Sequence, residues 1–348
     1  MFLGFKVLKN KLKSSSSRQK FHYKNIFLVN LLYICTSKYD CLMCFKKLLD
    51  MASKSLYDRW IPIHQTCFPY IVFNKYATEL KRLDMSYESS KRYTYAHLKT
   101  DGAVWTDKAS RFLYTHNNDE ISLKTWSETY DNFDNWVRLN KLLAMSSYFE
   151  TYIAAIISLA LESDPGLLIG CPHCVDGIKL KKSGISPISE EDLQEHLKQC
   201  TRGDWMARTS HMKKLFGVIP KSFTDKLSDL ERMRNLRNKV GHAFGRDIED
   251  ARDATIVTIE PMERLTLKTY IKYQNLIDDL ARDINDELMR SHIGNYQYLL
   301  HCHDSYAELL KYDNKERPRA FKKIIGQDTQ NPLPKDFCSW IINYYQSL

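Results

Sequence analysis

A long run of apolar residues with helical spacing constrains the fold more than any other feature. Within residues 136–161, apolar side chains recur every three or four positions, which predicts one long helix with a broad apolar face. A proline and a glycine within 163–166 then end this helix. Residues 223–244 and 261–290 show the same spacing. Three long helices of this kind are typical of an α-helical bundle.

The remaining chain divides around this predicted bundle. Residues 51–135 mix aromatic and polar side chains and predict a helix at 68–83 and two short strands at 103–105 and 112–114. We therefore expect a mainly α fold with four regions: a basic tail at 1–50, an α+β region of unknown role at 51–135, the bundle at 136–290 with an insertion at 170–202, and a C-terminal helical extension at 291–348.

The positive charge of the chain is concentrated at its beginning. Residues 1–50 contain ten lysine and arginine residues against two acidic ones, and so account for most of the net charge of +9. The folded body is then nearly neutral, and the charge is no evidence for a basic nucleic-acid-binding face there. This segment is either a flexible basic arm or an upstream misreading of a protein that starts at Met51.

The number of cysteines and the hydropathy of the chain indicate in which cellular compartment the protein is expected. The chain has nine cysteines, an odd number without the dense spacing of a disulfide-rich secreted domain, which favours a reducing cytoplasm. Residues 142–161 are almost long enough to span a bilayer, but Glu150 lies near their centre. A carboxylate there costs about 2.5 kcal/mol or more in lipid. We therefore predict a buried core helix, a cytoplasmic protein and no membrane partner.

The segment from Arg237 to His242 carries the residues best suited to catalysis. On a helix, Asn238 and His242 share a face, and Arg237 can reach towards them with its long side chain. A histidine can transfer protons at neutral pH, an arginine can stabilise charge on a phosphate, and the Asn238 amide can orient either partner. These residues suit RNA cleavage without a metal, giving 2′,3′-cyclic phosphate and 5′-hydroxyl ends. Gly241, inside the helix, suggests close approach of another backbone or a substrate.

The sequence resembles the HEPN superfamily, whose signature is an Arg, a polar residue and a His four to six residues after the Arg, within a helical bundle. Arg237, Asn238 and His242 match that signature, and the apolar helix before it and the tail Gly245-Arg246-Asp247 also correspond. The resemblance covers about 136–290. It implies a homodimer whose two motifs face each other across one cleft. It also implies RNA as the substrate and no cofactor for catalysis. The expected role is that of a toxin or antiviral defence effector, with an antitoxin or regulatory protein as a further partner.

Two other readings stay open at the level of sequence. One is a non-catalytic helical module that binds RNA or a partner protein, and the other is a zinc-stabilised scaffold. Glu150 either pairs with Arg237 or faces solvent. Arg234-Asn235 lies too far from His242 for the signature, and we assign it to substrate contact or to the surface.

The insertion contains a candidate metal site. Cys171 and Cys174 form a C-x2-C knuckle, and the sequence predicts a short hairpin after it and then a capped helix after Ser189. His196 and Cys200 lie four residues apart on that helix. Two ligands from a knuckle and two from one helical face suit a tetrahedral structural zinc ion. Free thiols, with His173 as an alternative ligand, are the other interpretation.

Overall fold

The computed structural model is mainly helical and describes residues 57–114, 121–253, 255, 257–328 and 333–348. The predictions for residues 1–50 fall outside this part. From Arg59 onwards the residues form one unit. Its α-helices are α1 (Phe68–Thr100), α2 (Leu123–Ser163), α3 (Gly177–Lys182), α4 (Glu190–Thr201), α5 (Trp205–Phe216), α6 (Lys221–Asp225), α7 (Leu227–Ala243), α8 (Ile248–Arg252), α9 (Leu267–Leu288), α10 (Tyr296–Leu309), α11 (Arg317–Asp328) and α12 (Lys335–Ser347).

Helix α2 is the centre of the bundle. It begins after Ser122, whose hydroxyl accepts a hydrogen bond from the Thr125 N–H at 3.2 Å, and it ends before Pro165. Helices α1, α4, α7 and α9 all pack against it. Its core face buries nearly every apolar residue that the helical spacing selected, including Leu142, Phe149 and Ile157. The predicted core helix is confirmed, although it starts thirteen residues earlier than the sequence indicated.

The same helix bears on the question of a membrane. In the described part of the chain, α2 is the helix that is long and apolar enough to cross a bilayer. Its apolar face is instead covered by neighbouring helices, which is how the core helix of a soluble protein behaves. The fold is therefore compatible with a soluble protein.

The α+β prediction for the N-terminal region is wrong for its described residues. Residues 103–105 and 112–114 form turns, with a short 3-10 helix, Ala109–Arg111, between them. One isolated bridge joins Lys108 to Ser122. The Asp107 carboxylate accepts a hydrogen bond from the Val104 N–H at 2.9 Å. Such a turn competes with strand pairing, so the apolar and aromatic residues here do not form a sheet.

The helix predicted at 223–244 is interrupted. Lys226 leaves helical geometry, with φ −112° and ψ 15°, and separates α6 from α7. Helix α7 ends where Phe244 adopts a left-handed conformation with φ 55°. The Gly245 N–H then donates to the Lys239 carbonyl at 2.9 Å, a helix end that glycine favours. The motif therefore occupies the last two turns of a helix whose end is well defined.

Candidate functional site

Helix α7 presents the motif from the surface of the bundle. Leu230 and Met233 are buried against neighbouring helices, with 0% and 2% exposure, and they anchor its inner face. Arg237 and Asn238, one turn further along, are half-buried, whereas His242 is exposed. The motif therefore runs from the edge of the core at Arg237 to open solvent at His242.

Arg237 is held by two neighbours. Its Nη2 lies 3.2 Å from Glu150 Oε2 on α2, and its Nη1 donates to Asn238 Oδ1 at 3.1 Å. Of the two alternatives for Glu150, the structure shows pairing with Arg237. Asn238 thus orients the guanidinium next to it, which fits the orienting role expected of this amide.

Arg208 is a second guanidinium on the same carboxylate, and sequence reasoning missed it. It lies on α5, where its Nη1 donates to Glu150 Oε1 at 3.0 Å. Its side chain is only 5% exposed, and burial lowers its pKa, opposed by the contact with Glu150. Glu150 therefore bridges two arginines from different helices, each on its own oxygen.

These groups line a pocket of about 500 Å³ between α2, α7 and the α4–α5 connection. Its charged lining side chains are Glu150, Arg202, Arg208, Arg234 and Arg237. Four guanidiniums face one carboxylate, so the lining carries an excess of positive charge. Arg234 is partly neutralised by its ion pair with Glu231, which lies outside the lining. Arg237 also has a buried Nε without a hydrogen-bond partner. We call this the arginine pocket; its chemistry suits an anion such as a phosphate.

His242 does not line the arginine pocket. It borders a different pocket of about 600 Å³, together with Arg246, Asp247, Asp253 and Glu260. The separation follows from helix geometry, because residues five apart on an α-helix point about 140° away from each other. Within one chain, the proposed base and the proposed phosphate-binding arginine therefore lie in separate places.

Gly241 has open space beside it. A Cβ there would meet only Leu143 Cδ1, at 3.9 Å. Among the residues that the structure describes, no other backbone makes the close approach to Gly241 that the sequence suggested. This glycine instead leaves a smooth surface beside the exposed His242.

The four predicted zinc ligands are not gathered around one point. Cys171 and Cys174 are exposed, whereas Cys200 is 1% exposed and burial raises its pKa to about 12. His196 Nδ1 is 3.1 Å from His211 Nε2 on α5. No three of the four ligand atoms lie within 4.8 Å of one another. Zinc binding by this set remains a prediction, and it would require these side chains to move together.

The insertion differs from its prediction in one respect and agrees in another. Helix α3 replaces the short hairpin expected between the knuckle and the following helix. The capped helix is confirmed, since Ser189 Oγ accepts a hydrogen bond from the Asp192 N–H at 3.1 Å. Nearby, the structure brings Asp164, His173 and His292 together. Of these, only His173 was considered from sequence, because the other two are 128 residues apart.

Comparisons with known proteins add no relative. No family model matches the chain, and neither a characterised protein nor a solved structure matches it.

Proposed function

We propose that this chain is a metal-independent endoribonuclease of the HEPN type. The observation that supports this most strongly is the position of Arg237. Glu150 and Asn238 hold it at an arginine-lined pocket, and an exposed histidine follows one turn later on the same helix. The folded body is nearly neutral overall, but four of its arginine residues line this pocket and make it locally positive.

Each residue has a role in the proposed reaction. His242 takes the proton from a ribose 2′-hydroxyl, and that oxygen attacks the adjacent phosphorus. Arg237 stabilises the negative charge that develops on the phosphate oxygens, while Asn238 orients Arg237. The bond from phosphorus to the 5′-oxygen breaks and that oxygen takes a proton from water, while His242 returns its proton to solvent, giving a 2′,3′-cyclic phosphate and a 5′-hydroxyl end. No divalent ion takes part in these steps.

We further propose that the active form is a homodimer. In one chain, His242 and Arg237 line different pockets, so a reacting phosphate between them needs a second copy. The exposed His242 and the open space at Gly241 permit another chain to approach. In a cytoplasmic toxin or antiviral effector, an antitoxin or regulatory partner would restrain such an enzyme.

A specific observation also favours the alternative of a non-catalytic module. The separate positions of His242 and Arg237 mean that one chain alone has an anion pocket without an adjacent base. A protein that stays monomeric would then bind RNA or an acidic partner through the arginine pocket and not cleave it.

The deciding experiment is RNA cleavage by the full chain in EDTA, with the product ends mapped. Wild type is compared with His242→Ala and Arg237→Ala, and circular dichroism monitors folding. His97→Ala and Arg282→Ala are matched controls, since both residues are exposed and lie outside the two pockets. We expect cyclic phosphate ends from wild type and both controls, and loss of cleavage in both motif variants.

Two results would count against the enzyme. If folded wild type cleaves no RNA but binds it, the non-catalytic module is the better description. If cleavage persists in His242→Ala and Arg237→Ala, the nuclease does not use this motif.

A further inference from the structure

Three residues outside the proposed catalytic region surround a buried carboxylate. Asp164 ends α2 and is fully buried. Its Oδ1 accepts a hydrogen bond from the His173 N–H at 2.8 Å. Its Oδ2 lies 3.0 Å from His292 Nδ1 and 3.7 Å from His173 Nε2. Two imidazoles from distant parts of the chain therefore converge on one carboxylate oxygen.

The charge of Asp164 needs compensation. A buried carboxylate is costly unless it is paired or coordinates a metal. Among the described residues, the ion-pair partners of Asp164 are His173 and His292. Arg59 belongs to the same region, but its ion pair is with Asp176, at 2.7 Å. Arg59 also interacts electrostatically with Asp164, and a cation bound by Asp164 and the two imidazoles would complete the compensation of its charge.

The spacing of the three groups is compatible with a shared cation. Their ligand atoms all lie within 4.8 Å of one another. Around a tetrahedral ion with ligand bonds of about 2.0–2.1 Å, ligand atoms are about 3.4 Å apart. The observed 3.0 and 3.7 Å lie on either side of that value. Two imidazole nitrogens and a carboxylate oxygen are a donor set that Zn²⁺ accepts.

Local backbone geometry provides an independent sign of a constrained site. His173 adopts a left-handed conformation with φ 63°, which is uncommon for a residue other than glycine and is found more often at functional sites. Its ring stacks on Trp60, with centroids 4.0 Å apart. His292 lies in a π-helical turn, Met289–Ile293, a distortion that recurs at functional sites.

We propose that Asp164, His173 and His292 bind one divalent transition metal ion, with Zn²⁺ the best match. His173 Nε2 also lies at hydrogen-bond distance, 2.6 Å, from the Ser291 carbonyl oxygen, and a bound ion would replace this hydrogen bond at Nε2. The His173 side chain is 42% exposed, which gives the ion a route from solvent. A bound ion would join the end of α2, the loop after it and the π-helical turn. This role is structural and independent of the proposed ribonuclease activity.

Metal binding by the full chain tests the proposal. The protein is stripped with a chelator, dialysed and titrated with Zn²⁺ by calorimetry, and its thermal midpoint is measured with and without the ion. We expect Zn²⁺ to raise the thermal unfolding midpoint of wild type. We also expect His173→Gln and His292→Gln to bind Zn²⁺ at least tenfold more weakly than wild type. His303→Gln, which replaces a histidine bonded to Tyr345, is the matched control and should behave as wild type.

Cobalt distinguishes this site from the cysteine set. Co²⁺ bound by thiolates gives an intense sulfur-to-metal charge-transfer band, whereas nitrogen and oxygen ligands give only weak visible bands. A Co²⁺ spectrum without the intense band, abolished in His173→Gln and unchanged in Cys171→Ser and Cys200→Ser, supports the proposal. The His173 side chain is exposed and contributes little to the hydrophobic core, so we expect His173→Gln to fold. This variant therefore tests the site even if His292→Gln fails to fold.

Three outcomes would overturn it. One is the absence of Zn²⁺ and Co²⁺ binding by folded wild type. Another is binding that His173→Gln and His292→Gln leave unchanged. The third is an intense thiolate band lost in Cys171→Ser and Cys200→Ser, which would assign the ion to the cysteine set instead.

Discussion

Arg237 and His242 lie five residues apart on α7, yet they line different pockets, one bordered by Glu150 and three further arginines and the other by Asp247, Asp253 and Glu260. We therefore propose that a reaction that needs both residues at one phosphate combines them from two chains. A dimer of this kind can be tested by placing substitutions of Arg237 and His242 on different chains.

Mixing two inactive variants should restore cleavage. A dimer of Arg237→Ala with His242→Ala has one composite site with both residues intact, so random mixing restores about one quarter of the sites. The measurement is RNA cleavage after the two proteins are mixed and allowed to exchange subunits. A mixture no more active than either variant alone would mean that each site takes both residues from the same chain.

Replacing Glu150 should destabilise the fold. In Glu150→Gln, the Arg208 guanidinium, only 5% exposed, loses its charged partner, and we expect a loss of about 1–3 kcal/mol in the free energy of unfolding. Urea unfolding measures it. The matched control is Asp279→Asn, which removes an exposed ion pair with Arg282 and should cost less than about 0.5 kcal/mol. Equal losses of unfolding free energy in both variants would show that the Glu150 bridge stabilises the fold no more than an exposed ion pair does.

Two glycine substitutions should have opposite effects on stability. Gly241→Ala adds a methyl group to open space in a helix, so it should stabilise the fold by up to about 1 kcal/mol. A Cβ at Gly177 would lie 1.7 Å from the Glu162 carbonyl oxygen, so Gly177→Ala should destabilise it by at least about 3 kcal/mol. Thermal unfolding checks both changes.

Gly241→Ala also reports on the dimer. If a second chain or RNA lies against Gly241, cleavage should fall even though the monomer is more stable. Full activity in this variant would argue that nothing packs closely on this turn of α7.

Acid should destabilise the protein partly through His211. Burial, together with the nearby His196 and Lys214, lowers the pKa of His211. The unfolded chain therefore binds a proton more readily than the folded one, and stability falls as the pH drops below the ordinary value of 6.5. His211→Gln should reduce the loss of urea stability between neutral and mildly acidic pH. An unchanged pH dependence would contradict this, and His97→Gln provides a control at an exposed histidine.

Arg234→Gln should weaken RNA binding in a salt-dependent way. Arg234 lines the arginine pocket and is not completely buried, so the variant should fold. Each lost phosphate contact lowers the slope of log affinity against log salt by about 0.7 for single strands. Fluorescence anisotropy with labelled RNA at several salt concentrations measures it. Arg282→Gln is the control, and an equal change in both variants would show that the pocket does not bind the RNA backbone.

Much of the fold was predictable because it depends on local periodicity. The apolar spacing of 136–161 identified the core helix, the proline and glycine within 163–166 identified its end, and Ser189 identified the start of α4. The failures were also local. The break at Lys226 has no strong sequence signal. Val104 and Trp105 have side chains that favour strands, but the Asp107 carboxylate accepts a hydrogen bond from the Val104 N–H and stabilises a turn instead.

The composition of the sites depended on tertiary structure. The sequence alone determined the helical bundle and identified Arg237, Asn238 and His242 as a motif, since these depend on neighbours within a few residues. Only the packing of α7 on α2 and of α5 beside α7 decided that Arg208 shares Glu150 with Arg237. Only the packing of the π-helical turn Met289–Ile293 on α2 decided that His292 meets Asp164. The physical reason is that periodicity indicates which helix face is buried, whereas a polar side chain's partner depends on which distant helix covers that face.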